Sequence, residues 1–314
     1  PLMFIFNIFR ILFFIKKKKP DILYVDRANL FFATVFCRIF KYKVILRLMG
    51  IYPDMIDLEN RFNINSLIQK FCYKSKFSAI ICTEDGSPGI FWMKKFINEI
   101  PKFLLIGGYD QQEDKIIEKK IKSKIKVLFL GRLEEIKGCL EFIDSAIDLA
   151  NNYPSRFHFY VIGKGSLEKK IKKEIKNNNL EKHFTLKKNI LHKNLYRIYN
   201  EIDIYVSLNK LGSLSNSNIE AFSFYKCTII LESDNEKQID LSTENIIPKE
   251  FVIRISRKNV RSDLKKQLLK LSNNKSLIHQ YENNVKKKFK TIFPTWDDRI
   301  RKEVNLIKNC ITKK

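Results

Sequence analysis

Ten short apolar runs alternate along the chain with longer amphipathic stretches. They are DILYV (21–25), KVILR (43–47), SAIIC (78–82), KFLLI (102–106), KVLFL (126–130), FHFYVI (157–162), HFTLK (183–187), DIYVS (203–207), CTIIL (227–231) and FVIRI (251–255). Most are continuously apolar rather than alternating, which is how strands covered on both faces of a parallel sheet read. Strands alternating with helical patterns imply right-handed crossover units, so the pattern predicts an α/β protein. The stretch 107–126 is charged and shows no strand pattern, and reads as a linker between two α/β domains. The expected organisation is a first domain over 1–112, a second over 113–290 and a C-terminal helix over 291–314, with the last helices broken at Pro294.

The opening PLMFIFNIFRILFFIKKKK has its own pattern. Its apolar stretch ends at Ile15 and is interrupted by Arg10, short of the roughly 20 apolar residues of a spanning helix. The lysines follow the apolar run, the reverse of a signal peptide. Leu2, Phe4, Ile5, Ile8, Leu12 and Ile15 fit a buried helix. The alternative is a helix lying on an anionic membrane surface, with Lys16 to Lys19 beside it.

Composition narrows the classes. The chain has 314 residues, 45% of them hydrophobic, so sizeable cores form and global disorder is excluded. The net charge of +25 suggests an anionic partner, although abundant Lys, Ile and Asn also fit a compositional bias. No aromatic–basic stacking motif or DNA-binding signature accompanies the charge, so a nucleic-acid partner is not expected. The six cysteines form no C-x-x-C pair and the four histidines are scattered, so reduced thiols in a cytoplasmic protein and no metal site are expected.

The candidate chemistry lies at strand ends. VLFLGRLEEIKGCLEFI (127–143) runs from a strand through Gly131 and Arg132 to Lys137, Gly138 and a helix. In a parallel sheet ligands bind beyond the carboxyl ends of the strands. Helix N-terminal amides favour an anion, Arg132 supplies a planar fork for phosphate oxygens, and Lys137 supplies a mobile point charge. A second glycine turn, IGKGSLEKK (162–170), holds Gly163 and Lys164, the latter read as solvated. The third loop, SLNKLGSLSNSNIEAFSFYKC (207–227), opens a helix carrying Glu220, whose carboxylate can accept two hydrogen bonds from a diol such as a ribose. Asp85 in TEDGSPG faces a cleft or shapes a turn. Arg47 is an acceptor-side group or half of a structural ion pair. Trp92 and Trp296 read as packing anchors.

The order GRLEEIKG, VIGKGSLEKKI and LHKNLYRIYNEIDIYVSLNKLGSLSNSNIEAF resembles the nucleotide-sugar-binding domain of family-four glycosyltransferases of the GT-B fold. KPDILYVDRANLFFATVFCRIFKYKVILRLMG, AIICTEDGSPGI and LLIGGYD agree with the family's first, acceptor-side domain, and PTWDDRIRKEV with its terminal helix. The resemblance implies two Rossmann-like domains with parallel sheets facing a central cleft. It implies a retaining hexosyltransferase that moves a sugar from a nucleotide diphosphate sugar to a glycan or lipid-linked acceptor, in polysaccharide biosynthesis, at the inner face of a membrane. Arg132 and Lys137 would neutralise the donor diphosphate and Glu220 would bind the ribose. Gly131, Gly163 and the loop Ser213, Leu214, Ser215 and Asn216 would line the donor site, the loop through main-chain amides. Fixed positive charge around the leaving diphosphate stabilises the transition state, so no metal or other cofactor is expected.

Three positions depart from the family. Gly212 stands where the first member of a glutamate pair touches the donor sugar, Met49 stands where a histidine is frequent, and nothing before DILYV matches the family's opening strand and glycine loop. The chain therefore reads as N-terminally truncated or divergent. The alternative function is a catalytically degenerate homologue that binds nucleotide sugar or serves as a partner subunit.

Overall fold

The computed structural model describes residues 2–111, 113–117 and 123–312, with side chains from Phe6 onward and excepting Glu113. The chain divides into two compact units. Unit 1 comprises Pro1–Glu84, Pro88–Leu105 and Asp298–Lys314, and unit 2 comprises Asp85–Ser87 and Ile106–Asp297. The linker expected at 107–126 lies partly outside the described residues. Its last two residues already belong to a strand, because Ile125 continues the apolar run of 126–130 into the sheet.

In unit 1 the order is α1 (Leu2–Lys18), β1 (Leu23–Asp26), α2 (Leu30–Arg38), β2 (Val44–Leu48), α3 (Pro53–Ile56), α4 (Ile64–Tyr73), β3 (Ala79–Glu84), α5 (Gly89–Phe96) and β4 (Lys102–Ile106). The strands form one sheet in the order β1-β2-β3-β4, with β2 parallel to both β1 and β3. Residues alternate between the two sheet faces. Val44, Leu46, Leu48, Ile80 and Cys82 pack with Ile15, Phe36, Tyr73 and Trp92 from the helices on one side. Ile45, Ala79 and Ile81 pack on the other side with Leu306, Ile307 and Cys310 of the C-terminal helix.

The buried-helix expectation for 1–19 holds for one edge only. Ile15 is buried and Ile11 and Leu12 pack against the same core, but Phe6, Phe9, Phe13 and Phe14 are 52–66% exposed. Leu2, Phe4 and Ile5 lie outside the described side chains. Among the described side chains apolar residues occupy more of the helix than one core contacts.

Unit 2 contains β5 (Ile125–Leu130), α6 (Cys139–Asn152), β6 (Phe157–Ile162), α7 (Glu168–Asn177), β7 (Phe184–Lys187), α8 (Leu195–Glu201), β8 (Ile204–Ser207), α9 (Asn216–Ser223), β9 (Cys227–Leu231), α10 (Leu241–Ile246), β10 (Val252–Ile255), α11 (Val260–Asn273) and α12 (Ser276–Ile292). After Pro294, α13 (Trp296–Thr312) carries the chain into unit 1. The sheet order is β10-β9-β8-β5-β6-β7 and every pair is parallel. That is the doubly wound order, and its topological switch point lies between β5 and β8. Val127 and Phe129 face α6, α7 and α11, while Leu128 faces α8 and α9. All ten expected strands are present among the described residues, with ends displaced by no more than two positions.

Candidate functional site

The site is assembled at the β5–β8 switch point of unit 2. β5 ends at Leu130 because Gly131 and Arg132 turn the chain, and Gly131 N–H donates to the Ile162 carbonyl at 3.0 Å. The chain then makes a short 3-10 turn over Glu135–Lys137. Gly138 follows with φ +68, and a Cβ there would stand 2.6 Å from the Leu208 carbonyl oxygen. Only glycine accepts both the left-handed backbone and that approach without strain. α6 begins directly after it. Its Phe142, Ile143, Ala146 and Leu149 are buried, so the helix is held by its apolar face and its first turn is directed at the strand ends.

Three loops meet here. Gly131, Lys137, Ser207, Asn209, Ser215 and Ser217 line one small cavity. Burial, and then the like charge of Arg132, push the Lys137 ammonium below its ordinary value, while Asp85 opposes them. A half-buried Lys137 beside the exposed Arg132 is an arrangement that an anion would relieve. The second glycine turn is bolted to the first loop. Leu133 N–H donates to the Lys164 carbonyl at 2.9 Å, and the Glu134 carboxylate accepts from Ser166 N–H at 2.9 Å and Ser166 Oγ at 2.5 Å. Gly163 packs against the Gly131 carbonyl, whereas Lys164 is exposed.

The third loop differs in part from its expected role. Ser213 N–H donates to Asp240 Oδ1 at 2.6 Å, and Leu214 N–H donates to the Asp85 carbonyl at 3.0 Å. Both amides are therefore taken, and the Leu214 side chain lies in a hydrophobic core. Main-chain contact to a ligand is left to Ser215 and Asn216, the N-cap and first residue of α9. Ser215 Oγ donates to Asn218 Oδ1 at 2.9 Å, and Asn218 Nδ2 donates to the Ser213 carbonyl at 2.9 Å. That bracing presents the start of α9, with its unsatisfied amides, at the strand end.

Glu220 lies one turn into α9. Tyr199 Oη donates to its Oε2 at 3.4 Å, and His192 Nε2 stands 2.7 Å from its Oε1. Burial raises its carboxyl above the ordinary value and His192 opposes the rise. A half-buried, oriented carboxylate with two acceptor oxygens is suited to a vicinal diol.

Asp85 does what a turn-former does: its Oδ1 accepts from Ser87 N–H at 3.0 Å and Ser87 Oγ at 2.5 Å. Burial raises its carboxyl, and Ser87 and Lys137 oppose that. Asp85 thus shapes a turn, one of the two roles expected for it, and its charge acts on Lys137. Gly212 sits against the same turn with φ +152, and a Cβ there would lie 2.6 Å from the Gly86 carbonyl carbon. No side chain fits at position 212 without displacing that turn.

Arg47 belongs to unit 1. Its Nε is 3.1 Å from Glu303 Oε1 and its Nη2 donates to Thr83 Oγ1 at 2.7 Å. Arg299, itself buried, pairs with the same glutamate. Of the two roles left open for Arg47, the structural ion pair is the one displayed. Met49 is 53% exposed.

Sequence reasoning missed Asp240, Arg257 and His192. Asp240 is 2% exposed and also accepts from Thr243 Oγ1 at 2.8 Å and Arg257 Nη2 at 2.9 Å. Arg257 Nη1 donates to the Lys210 carbonyl at 3.1 Å, so the pair clamps both sides of the third loop. Asp240 stands directly before α10 but its side chain makes no capping bond to the helix backbone, and nothing local marked its partners. Among the described residues, no three His, Cys, Asp or Glu side chains gather as a metal site.

A family model, "Glycosyl transferases group 1", matches residues 110–288. The glycosyltransferase MJ1069 of Methanocaldococcus jannaschii, itself described as uncharacterized, is 24% identical over 228 residues, covering 70% of this chain and 56% of its own. A TarM mutant of S. aureus, solved in complex with Fondaparinux, alpha-GlcNAc-glycerol and UDP, superposes with a TM-score of 0.68 at 17% identity, over 89% of this chain and 54% of that one. HepE of Anabaena, solved in complex with UDP-glucose, gives a TM-score of 0.71 at 11% identity, over 92% and 79%. The chain thus spans little more than half the length of MJ1069 and of that TarM chain. With the family match covering more than half of the chain and the folds agreeing, this protein belongs to the glycosyl transferases group 1 family and has the α/β architecture of GT-B, with two Rossmann-like domains.

Proposed function

We propose that the protein transfers a hexosyl unit from a nucleoside diphosphate sugar to a glycan or lipid-linked acceptor, with retention at the anomeric carbon, as part of polysaccharide assembly. The observation that carries this reading is the convergence of Arg132, Lys137 and the start of α9 at the switch point of a doubly wound sheet. In this reading the donor diphosphate lies between Arg132 and Lys137, and Glu220 accepts hydrogen bonds from the ribose hydroxyls once His192 yields its place. As the bond from the anomeric carbon to the diphosphate breaks, negative charge accumulates on the phosphate oxygens. The two fixed cations and the helix amides stabilise it, and this chemistry requires no metal. The UDP and UDP-glucose named for TarM and HepE make a uridine nucleotide the first donor to try.

The acceptor side is assigned to the first domain. The protein would work from the cytoplasm as a peripheral protein at the inner face of a membrane. The apolar start followed by Lys16 to Lys19 supports that location, and among the described residues no helix is long and apolar enough to cross a bilayer.

A second reading, a degenerate homologue that binds nucleotide sugar without transferring it, is favoured by the packing at Gly212, which leaves no space for a carboxylate side chain. One experiment separates the two. UDP-, GDP-, ADP- and CMP-sugars are screened for binding and for release of the nucleotide with and without glycan acceptors. Binding with turnover supports the transferase, binding without turnover supports the degenerate homologue, and no binding to any of them removes both. The anomeric configuration of a product, read by NMR, tests retention.

A further inference from the structure

The outer helices of unit 1 carry a surface that the donor site does not use. In α4, Ser66, Cys72 and Tyr73 face the core, while Ile64, Leu67, Ile68 and Phe71 are 42–75% exposed. These four recur at i, i+3, i+4 and i+7, the spacing of one continuous helical stripe. Such a stripe ordinarily faces a core, and contiguous exposed apolar patches mark interaction sites. Phe62 precedes the helix at 79% exposure. Phe6, Phe9, Phe13 and Phe14 of α1 are also exposed, and Ile15 of α1 shares the core cluster of Cys72 and Tyr73, so both helices cover the same side of the sheet.

We propose that α4 seats unit 1 on an anionic lipid bilayer, with its apolar stripe entering the boundary between headgroups and acyl chains and its basic neighbours meeting lipid phosphates. The inference rests on the peripheral-membrane part of the reading above and names the element that carries it. Charge selects the occupant. From residue 60 to 76 the chain holds Arg61, Lys70, Lys74 and Lys76 and no acidic residue, and residues 1–20 hold Arg10 and Lys16 to Lys19 with no acidic residue. Asp57 and Glu59 lie just before α4, paired with Arg61 and Lys95. Apart from these two ion pairs the charges beside the stripes are positive, which complements a surface that is apolar beneath a layer of phosphate. The cations are also placed on the rings. The Arg38 guanidinium lies 4.1 Å from the Phe71 ring centroid, and Lys70 Nζ lies 4.7 Å from that of Phe62. Arg38 is held there, because its Nε donates to Ser75 Oγ at 2.8 Å and its Nη2 to the Phe71 carbonyl at 3.2 Å. A cation on the face of an entering ring remains at headgroup depth while the ring edge goes deeper.

The test is co-sedimentation of the full chain with phosphatidylcholine vesicles, with and without phosphatidylglycerol. The wild type is expected to bind the anionic vesicles, to bind the neutral ones at least tenfold more weakly, and to release in high salt. Leu67→Glu with Phe71→Glu is expected to abolish binding. Arg61→Gln with Lys70→Gln and Lys74→Gln leaves the stripe intact and is expected to weaken binding roughly a hundredfold, at about fivefold for each of the three cations. Equal binding to both vesicles, full binding by the stripe variant, or no vesicle binding by the wild type would each overturn the proposal. The last result combined with self-association would make the stripe a contact between protein chains. Nucleoside diphosphate affinity, measured on the same samples, is expected to be unchanged in both variants. Its absence in the wild type would remove the donor reading and leave the vesicle result standing.

Discussion

Unit 1 carries 19 of the 21 large hydrophobic side chains that are exposed among the described residues, and unit 2 carries only Ile117 and Leu191. Charge follows the same division. Unit 1 holds 23 Lys and Arg against 9 Asp and Glu, whereas unit 2, the longer of the two, holds 36 against 25. A bias spread evenly along the chain would not concentrate both properties in one unit. Unit 2 encloses its apolar residues on both faces of its sheet and turns polar groups toward one switch point. Unit 1 closes a smaller core and leaves a second apolar layer facing outward. The two units thus differ in where polar groups gather and in how many apolar side chains stay exposed among the described residues.

The sharpest way to break this comparison is through stability. Phe129 is buried between β5 and α6, and Phe129→Ala is expected to cost about 3–5 kcal/mol. Phe9→Ser, at a ring that is 66% exposed, is expected to fall within about 0.5 kcal/mol of wild type. Chemical denaturation reads both values, and similar losses would mean that the α1 rings are covered after all.

Next in size is the clamp of the third loop. Asp240→Ala leaves the Arg257 guanidinium without its carboxylate in a mostly buried place and removes the acceptor of Ser213 N–H. A loss of about 3 kcal/mol is expected, together with weaker nucleotide binding, because the loop that opens α9 is no longer fixed. A stable variant with normal nucleotide affinity would show that the clamp is dispensable.

Smaller still is the effect at the diol site. Glu220→Gln retains the shape and removes the charge, and should weaken ribonucleotide binding by about 1–2 kcal/mol. The loss should shrink for a 2′-deoxynucleotide, which offers one hydroxyl fewer. Equal losses for both ligands would argue against a ribose contact.

The mildest effect concerns pH. Lys137 is depressed below the ordinary lysine value, by burial first and then by Arg132. A cation with a lowered value loses its proton earlier as pH rises. Nucleoside diphosphate affinity should therefore decline on the alkaline side before an ordinary lysine would titrate, near 10.4. Lys137→Arg, which stays charged, should flatten that decline. An identical alkaline profile in both proteins would exclude Lys137 as its source.

Much of this was legible in the sequence. Strands buried on both faces are continuous apolar runs, and so the ten strands could be placed from residues 21–25 to 251–255. The glycine turns beside Arg132 and Lys137 were legible because a left-handed residue such as Gly138 leaves a local mark. Two kinds of fact were not. Contacts between distant segments, such as Arg257 with Asp240 and His192 with Glu220, have no local signature. Nor does periodicity tell whether a second apolar face is covered. The spacing in α1 put Ile15 and not Phe9 on the buried face, and Ile15 is buried and Phe9 exposed, but the exposed phenylalanines carry no local signature of what they meet. The amides of Ser213 and Leu214 show the same limit, since a Ser-rich loop announces donors without saying which are already used.

The central claim is that the loop from Gly131 to Gly138 grips a diphosphate. Calorimetric titration of UDP, or of whichever nucleoside diphosphate binds best, into wild type, Arg132→Ala and Lys137→Ala tests it most directly. Each variant is expected to lose about 1.5–3 kcal/mol of binding, or roughly ten- to a hundredfold in affinity, with unfolding midpoints unchanged. Wild-type affinity in both variants would contradict the account.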